Sequence, residues 1–323
     1  MILRVFVPFI LLFLFPAAHA ADLPGIPQFI DEMVSKHQFK REELIKTFKL
    51  AEYRADVIDA ITTPATVKPW VEYRASFINQ TRIDGGLAFW KKYAPELQRA
   101  EQQYGVPQEI ILAVIGVETL YGRRAGKFRA LDALTTLAFD YPRRADFFRN
   151  ELAEYLLLAR EQNFNLLEIK SSYAGALGIP QFMPSSYRKY AVDFNGNGKV
   201  DILGEPEDAI GSVANYLKQY GWKTGEPIAQ LATLGSGYSV PAVLDSRSLA
   251  AWMEVGVSPV TKLKIATPPA WLVDFTVESG KEYWLTYNNF RVIALYNNSN
   301  FYAMSVFQLA EVLRAAYNAA AIH

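Results

Sequence analysis

The chain contains no cysteine and only three histidines in 323 residues. Disulfides, cysteine nucleophiles and thiolate zinc sites are therefore excluded. An excess of either charge is missing too, with 33 Lys and Arg against 33 Asp and Glu. Without a basic surplus there is nothing to hold a nucleic-acid backbone, and that class of partner is set aside. Internal repeats and low-complexity linkers are also absent, so the parts of the chain are expected to pack together. What is present is an ordinary globular composition, 51% hydrophobic and 20% charged. Aromatic residues, at 14% with 18 Tyr and 20 Phe, are on the high side. Their flat faces suit sugar or base ligands as well as cores.

The first twenty residues form an address. Arg4 supplies a short positive segment, Val5 to Phe15 an apolar stretch too short to span a bilayer comfortably, and Ala18-His19-Ala20 a small-residue cleavage pattern. The expectation is a signal peptide over residues 1–20 and a mature chain from Ala21. No cysteine follows to carry a lipid, so the mature form is expected to be exported and soluble, without a membrane anchor. What remains is long enough for one large domain or two to three small lobes.

Apolar residues at three- and four-residue spacing predict helices through residues 22–104. More helices follow between 105 and 222, among them 150–160 and 207–220, the latter closed by Gly221. Between 225 and 296 the character changes. Residues 261–265, 272–277, 282–287 and 291–296 read as short strands separated by Pro, Gly and Asn turns. Residues 307–321 return to helix.

Glu118 is the most informative residue. The run Ile110 to Val117 before it is apolar on nearly every face and predicts a buried helix. Pro107 suits the first turn, and Gly122 is placed to end the helix in a left-handed conformation. A carboxylate near the end of such a helix is costly unless paired, and burial raises its pKa. Two readings follow. Glu118 is a structural acid paired with Arg123, Arg124 or a distant base, or it is held protonated near neutral pH, as a general acid requires.

Some fifty residues on, Ser171 to Tyr187 is rich in Gly, Pro and hydroxyls. Small residues let backbone approach a ligand, and Gln181 offers donor and acceptor together, as sugar hydroxyls require. The stretch reads either as a cleft-lining loop or as a turn-rich connector. Further on, Asp193, Asn195, Asn197 and Gly198 fall at positions one, three, five and six of an EF-hand-like loop, with Lys199 at seven. Position twelve is Gly204 rather than Glu, so Asp208 is the expected closing ligand of a longer loop. The same residues also fit an Asn-Gly hairpin turn.

Four blocks together carry a resemblance: Gly116-Val-Glu-Thr119 with Tyr121-Gly122, Asp140-Tyr-Pro-Arg-Arg-Ala145, Ser172 to Tyr187 containing Gln181-Phe-Met-Pro-Ser-Ser186, and Asp208-Ala-Ile-Gly-Ser-Val-Ala-Asn-Tyr216. In order and spacing they resemble the B-type membrane-bound lytic murein transglycosylases over nearly the whole mature chain. The resemblance implies an α+β, mainly α, fold. A lysozyme-like catalytic core (105–224) would be flanked by a helical lobe (21–104 with 300–323) and a small β lobe (225–299). It implies non-hydrolytic cleavage of the β-1,4 bond between N-acetylmuramic acid and N-acetylglucosamine, leaving 1,6-anhydromuramoyl ends.

On that resemblance Glu118 is the catalytic acid and then base, and Ser172 orients it. Gln181 is the cleft amide, with Phe182 and Met183 as the apolar wall beside it. Arg143 and Arg144 form a basic pair near saccharide and peptide subsites. Tyr296-Asn297 and Tyr302 return to the active site late in the chain, and Tyr73 and Tyr216 are cleft tyrosines. Ile179-Pro180 departs from the family's pair before the glutamine. A structural calcium is implied at the Asp193 loop, with no cofactor needed for the chemistry. The implied partners are peptidoglycan strands and cell-wall synthesis or hydrolysis proteins, in the periplasm. Family members that are membrane-bound carry a lipobox cysteine, which this chain lacks. Two rivals stand beside this reading: a hydrolytic lysozyme or chitinase, which would need a base or nucleophile opposite Glu118, and a non-catalytic peptidoglycan-binding protein, which would need neither Glu118 nor Ser172.

Overall fold

The computed structural model describes residues 23–63, 68–236, 238, 245–263, 265 and 268–320, so the expected signal peptide lies outside the described residues. Six helices come first: α1 (Ile26–His37), α2 (Arg41–Lys49), α3 (Ala55–Thr62), α4 (Trp70–Phe77), α5 (Gln80–Lys92) and α6 (Ala94–Tyr104). The stripes predicted by spacing are the ones buried: Phe29, Ile30 and Met33 on α1, Leu44 and Phe48 on α2. A proline in its first turn and left-handed Gly105 bracket α6.

The middle of the chain holds α7 (Gln108–Thr119), β1 (Phe128–Arg129), α8 (Ala130–Asp140), a 3-10 turn (Pro142–Arg144), α9 (Ala145–Gln162), β2 (Lys170–Ser171), α10 (Pro184–Tyr190) and α11 (Pro206–Gln219). The remainder is β3 (Ala229–Leu234), α12 (Leu249–Glu254), β4 (Val257–Pro259), β5 (Trp271–Val277), β6 (Gly280–Thr286), α13 (Asn288–Asn297) and α14 (Asn300–Ala320).

A helix apolar on every side must be wrapped on every side. Helix α7 is: Ile110 to Val117 are all buried, and α5, α6, α11 and α14 pack around it. One continuous hydrophobic core runs from Ile26 on α1 to Leu313 on α14. The stretches read as helical lobe and catalytic core thus share one interior. Strands β4, β3, β6 and β5 form, in that order, an antiparallel sheet. A second, smaller core lies against it, with Trp252, Leu272, Leu285 and Tyr287 at its centre. The two-residue strands β1 and β2 pair through Phe128 with Ser171, which delivers Ser172 to the end of α7.

Three local expectations are corrected. Residues 291–296 form helix α13, not a strand. Their β-branched residues favour a strand only weakly, and packing overrides that preference. Phe290, Val292 and Ile293 bury against α14, and buried Asn289 staples the helix start to the backbone of Lys223 and Glu226. Within 261–265, the described residues form no strand. Finally, α7 ends before Gly122, with Leu120 already left-handed at φ 52°.

Candidate active site

The end of α7 is held under strain. Leu120, Tyr121 and Gly122 are left-handed in succession, with φ of 52°, 62° and 84°. For a non-glycine residue this conformation costs on the order of 1–3 kcal/mol and persists only where surroundings enforce it. Here they do. Thr119 donates its hydroxyl to the Ile179 carbonyl (2.8 Å) and accepts from the Gly122 N–H (3.0 Å). Arg82 Nε donates to the Gly116 carbonyl (3.0 Å), and the Tyr121 hydroxyl donates to the Arg82 carbonyl (2.9 Å). The Tyr121 ring lies so close to Gly116 that an added Cβ would stand 2.6 Å from its hydroxyl oxygen. A side chain there, two residues before Glu118, would displace the Tyr121 ring.

That clamp fixes Glu118 at the floor of a cleft of about 650 Å³. Burial raises its carboxyl pKa from 4.5 to about 7, opposed only by a hydrogen-bonding interaction with the Tyr302 hydroxyl. This contact is looser than a regular hydrogen bond, and the buried Tyr302 hydroxyl has no other partner. Arg123 and Arg124 are exposed and form no ion pair with Glu118, so the paired, structural reading of this acid falls.

Ser172 lines the same cleft. Its hydroxyl accepts from the Ala176 N–H (3.1 Å), which leaves its proton free to donate, and it makes no hydrogen bond to Glu118 in this structure. Gln181 also lines the cleft, in a left-handed backbone conformation at φ 53°. Its amide nitrogen donates to the Ala125 and Gly178 carbonyls (3.1 and 2.9 Å), tying together the two loops below α7. Only the amide oxygen then remains to accept from a ligand, so the expectation of donor and acceptor together is halved. Met183 faces the cleft. Phe182 does not: it is buried beneath, against the Tyr216 and Tyr296 rings (5.4 and 6.0 Å).

Tyr216, Tyr296 and Asn297 line the cleft, and the Tyr296 hydroxyl donates to the Pro180 carbonyl (2.6 Å). Tyr73 packs among Trp70, Phe77 and Phe301, outside the cleft lining but within electrostatic reach of Glu118. The arginine pair divides. Arg144, stacked over Phe147 at 4.0 Å, lines both the cleft and an adjoining groove of about 840 Å³, whereas Arg143 lines only that groove, with Arg149. That groove is larger, but its acids Glu32 and Asp146 are exposed; the acid whose pKa burial raises to about 7, Glu118, lines the smaller cleft.

Sequence reasoning missed Glu151. This α9 residue is buried at the cleft wall and accepts from the Ser185 hydroxyl (2.6 Å) and N–H (2.9 Å). It thereby caps α10, whose own N-cap Met183 supplies no side-chain bond. Burial raises its pKa, partly offset by those bonds. Tyr173 and Tyr220, also missed, are partly exposed along the cleft.

In the Asp193 loop, the Asp193 carboxylate accepts from the N–H groups of Gly196, Asn197 and Gly198. Asn195 and Asn197 both reach Glu205 with their amides (2.6 and 3.0 Å). Lys199 contributes its N–H to the Asn197 side chain (2.9 Å). Asp208 is not the closing residue expected of it. It is fully buried and its oxygens are taken by the N–H groups of Phe194, Asn195 and Asp201, so Glu205 is the acid that faces the asparagines. The spacing signal was there, since Glu205 follows the expected position twelve by one residue.

A protonatable carboxyl, an aromatic wall and a glycine-clamped helix end thus meet in one cleft, the arrangement of a general-acid site. Residues 23–311 match the family model described as a transglycosylase SLT domain. The chain is 43% identical over 307 residues to the membrane-bound lytic murein transglycosylase B of Escherichia coli K12, covering 92% of this chain and 84% of that protein. The crystal structure of soluble lytic transglycosylase SltB1 from Pseudomonas aeruginosa superposes with a TM-score of 0.85 at 46% identity, over 91% of this chain and all of that one (100%). An Escherichia coli lytic transglycosylase solved in complex with calcium superposes with a TM-score of 0.86 at 41% identity, over 93% of this chain and 96% of that one. The chain belongs to the lytic murein transglycosylase family.

Proposed function

We propose that this chain is a lytic transglycosylase that cuts the β-1,4 bond between N-acetylmuramic acid and N-acetylglucosamine in peptidoglycan, with Glu118 as acid and then base. The observation that carries this is Glu118 in the cleft with its carboxyl pKa raised to about 7 and no ion-pair partner, in a chain of this family. Protonated Glu118 donates to the glycosidic oxygen, the C1–O4 bond breaks, and the N-acetylglucosamine side leaves as an alcohol. The Glu118 carboxylate then takes the proton of the muramoyl C6 hydroxyl as O6 bonds to C1. One proton leaves Glu118 and one returns, so no water is consumed. Ser172, with its free proton, is the group that holds the carboxylate in its second role, and Gln181, Met183, Tyr216, Tyr296 and Asn297 shape the sugar path.

Glu151 is the alternative base that a hydrolase would need. Its oxygens are engaged by Ser185, which favours a structural role. Mass spectrometry of sacculi digested in heavy-oxygen water separates the two. The expected ends are anhydromuramoyl, unlabelled and one water lighter than hydrolysed ends. Labelled, reducing muramic acid would make the enzyme a hydrolase and Glu151 its base.

The Asp193 loop offers a hard cation oxygen donors alone: the Asp193 and Glu205 carboxylates, the Asn195 and Asn197 side-chain carbonyls, which here accept from the Asn197 and Lys199 N–H groups, and the Lys199 backbone carbonyl. Few carboxylates imply weak binding, and the loop plays no part in the chemistry. Millimolar calcium is expected to raise the melting temperature by a few degrees, because an ion bound by the native state alone stabilises it by mass action. Identical melting with calcium and with chelator would leave the loop as a plain turn.

Among the described residues no helix is long and apolar enough to cross a membrane. The leader-like residues 1–20 support an exported, periplasmic form whose natural partners are glycan strands and other cell-wall enzymes.

A further inference from the structure

A ladder of tyrosines leads away from Glu118. The Tyr302 hydroxyl meets the carboxyl, and the Tyr302 ring stacks on Tyr296 at 5.9 Å and 13°. Tyr296 tilts against Tyr216 at 4.7 Å, and Tyr216 stacks on Tyr220 at 4.4 Å and 28°. Its inner rungs are shielded, with Tyr302 1% and Tyr216 6% exposed and Tyr296 partly buried, whereas Tyr220 at its end is 36% exposed. The charge on Glu118 is felt at Tyr302, Tyr296 and Tyr216, whereas Tyr220 responds to Tyr190, Tyr216 and Lys189. Tyr220 is therefore the outermost rung, and it still lines the cleft.

Nothing in the chemistry at Glu118 needs a ring that far out. Tyr220 is the C-cap of α11, held at the helix end by left-handed Gly221 (φ 95°) behind it. Its ring is pinned on one face by Tyr216 and packs against Tyr190 at 5.4 Å. The remainder faces the cleft mouth. A pinned aromatic ring loses little freedom on binding, and its apolar face with a phenol beside it suits the apolar face and hydroxyls of a sugar. The rings themselves carry no charge, which fits a neutral hexosamine. Carboxylates of a stem peptide find guanidinium groups along the adjoining groove of Arg143, Arg144 and Arg149, of which only Arg144 also lines the cleft of Tyr220.

Resting on the transglycosylase reading of this cleft, we infer that Tyr220 forms a distal sugar subsite, binding a hexosamine of the glycan strand beyond the pair that flanks the cut. The enzyme then holds long strands more tightly than short fragments. Calorimetry on the full chain carrying Glu118→Gln, so that nothing is cut, tests this with peptide-free disaccharide and octasaccharide of alternating N-acetylglucosamine and N-acetylmuramic acid. Adding Tyr220→Ala is expected to weaken octasaccharide binding about three- to tenfold and leave the disaccharide unchanged, a loss in the range of one aromatic contact. Tyr220→Phe should restore most of it. Equal weakening for both lengths would reduce Tyr220 to a support for Tyr216 and overturn the subsite, as would unchanged binding for both. The cleavage reading fails separately, through the absence of anhydromuramoyl ends from the unmutated enzyme.

Discussion

Glu118→Gln is expected to lose at least two orders of magnitude in kcat/KM on peptidoglycan while gaining stability above neutral pH. The amide is nearly the same size, so it keeps the packing at the end of α7, but it cannot give up or take a proton. General acid–base catalysis is worth roughly 10²–10⁴ in rate. The stability gain has a separate origin. Burial raises the folded-state pKa of Glu118 from 4.5 to about 7. Between those values the native chain binds a proton that the unfolded chain releases, so unfolding becomes easier as pH rises through the window. Above pH 7 the buried charge costs up to about 3 kcal/mol, since each tenfold change in acidity is worth about 1.4 kcal/mol. The glutamine variant carries no such cost. Melting curves of both proteins at pH 4 and pH 8 should nearly coincide at the lower pH and separate at the higher, with the variant above. Activity within about tenfold of the unmutated enzyme would remove Glu118 from the chemistry; a variant less stable at pH 8 would mean that the carboxylate is compensated by a partner.

Most of what made Glu118 legible is local. Eight apolar residues in a row between Pro107 and Gly122 read as a helix wrapped on all sides, and an acid at its end is conspicuous without any knowledge of the fold. The Gly- and Pro-rich 171–187 stretch was readable for the same reason. Its glycines permit conformations that other residues resist, and the structure delivers it to the end of α7 through the β1–β2 pair. The resemblance joined these pieces, and the family match bears it out.

What failed to show in the sequence depends on tertiary contact. Residues 291–296 are a short apolar run rich in strand-favouring residues, and their burial against α14 makes them part of helix α13. Glu151 sits in a helix of mixed polarity, where an acid normally faces water; its role appears only when Ser185 folds over it. Phe182 and Arg143 adjoin residues of the cleft in sequence, and a shift of one residue on a turn points each elsewhere. Asp208 and Glu205 are the same kind of near miss. Spacing placed a carboxylate near the end of the loop, but direction decides which one caps backbone N–H groups and which one meets Asn195 and Asn197.

The alkaline limb of the pH–rate profile is expected to belong to Glu118. The reaction begins with a protonated carboxyl, so kcat/KM follows the protonated fraction of the free enzyme and should fall about tenfold per pH unit above about 7. The neighbouring phenols cannot supply this limb, because burial pushes Tyr216, Tyr296 and Tyr302 further above their usual range. Glu151 is the other cleft acid whose pKa is raised, so a Glu151→Gln variant serves as the control and should leave the limb in place. Tyr302→Phe is the stronger test. The Tyr302 hydroxyl is the group that pulls the Glu118 pKa down against burial, and removing it takes away the donor that stabilises the carboxylate. The limb should therefore move to higher pH, with a lower plateau because the carboxylate needed in the second step has lost that donor. The aromatic ring of the variant still stacks on Tyr296, which keeps the wall in place. A limb near the ordinary carboxyl value of 4.5 would mean that water reaches Glu118 freely, and a limb unmoved by Tyr302→Phe would assign the titration to another group.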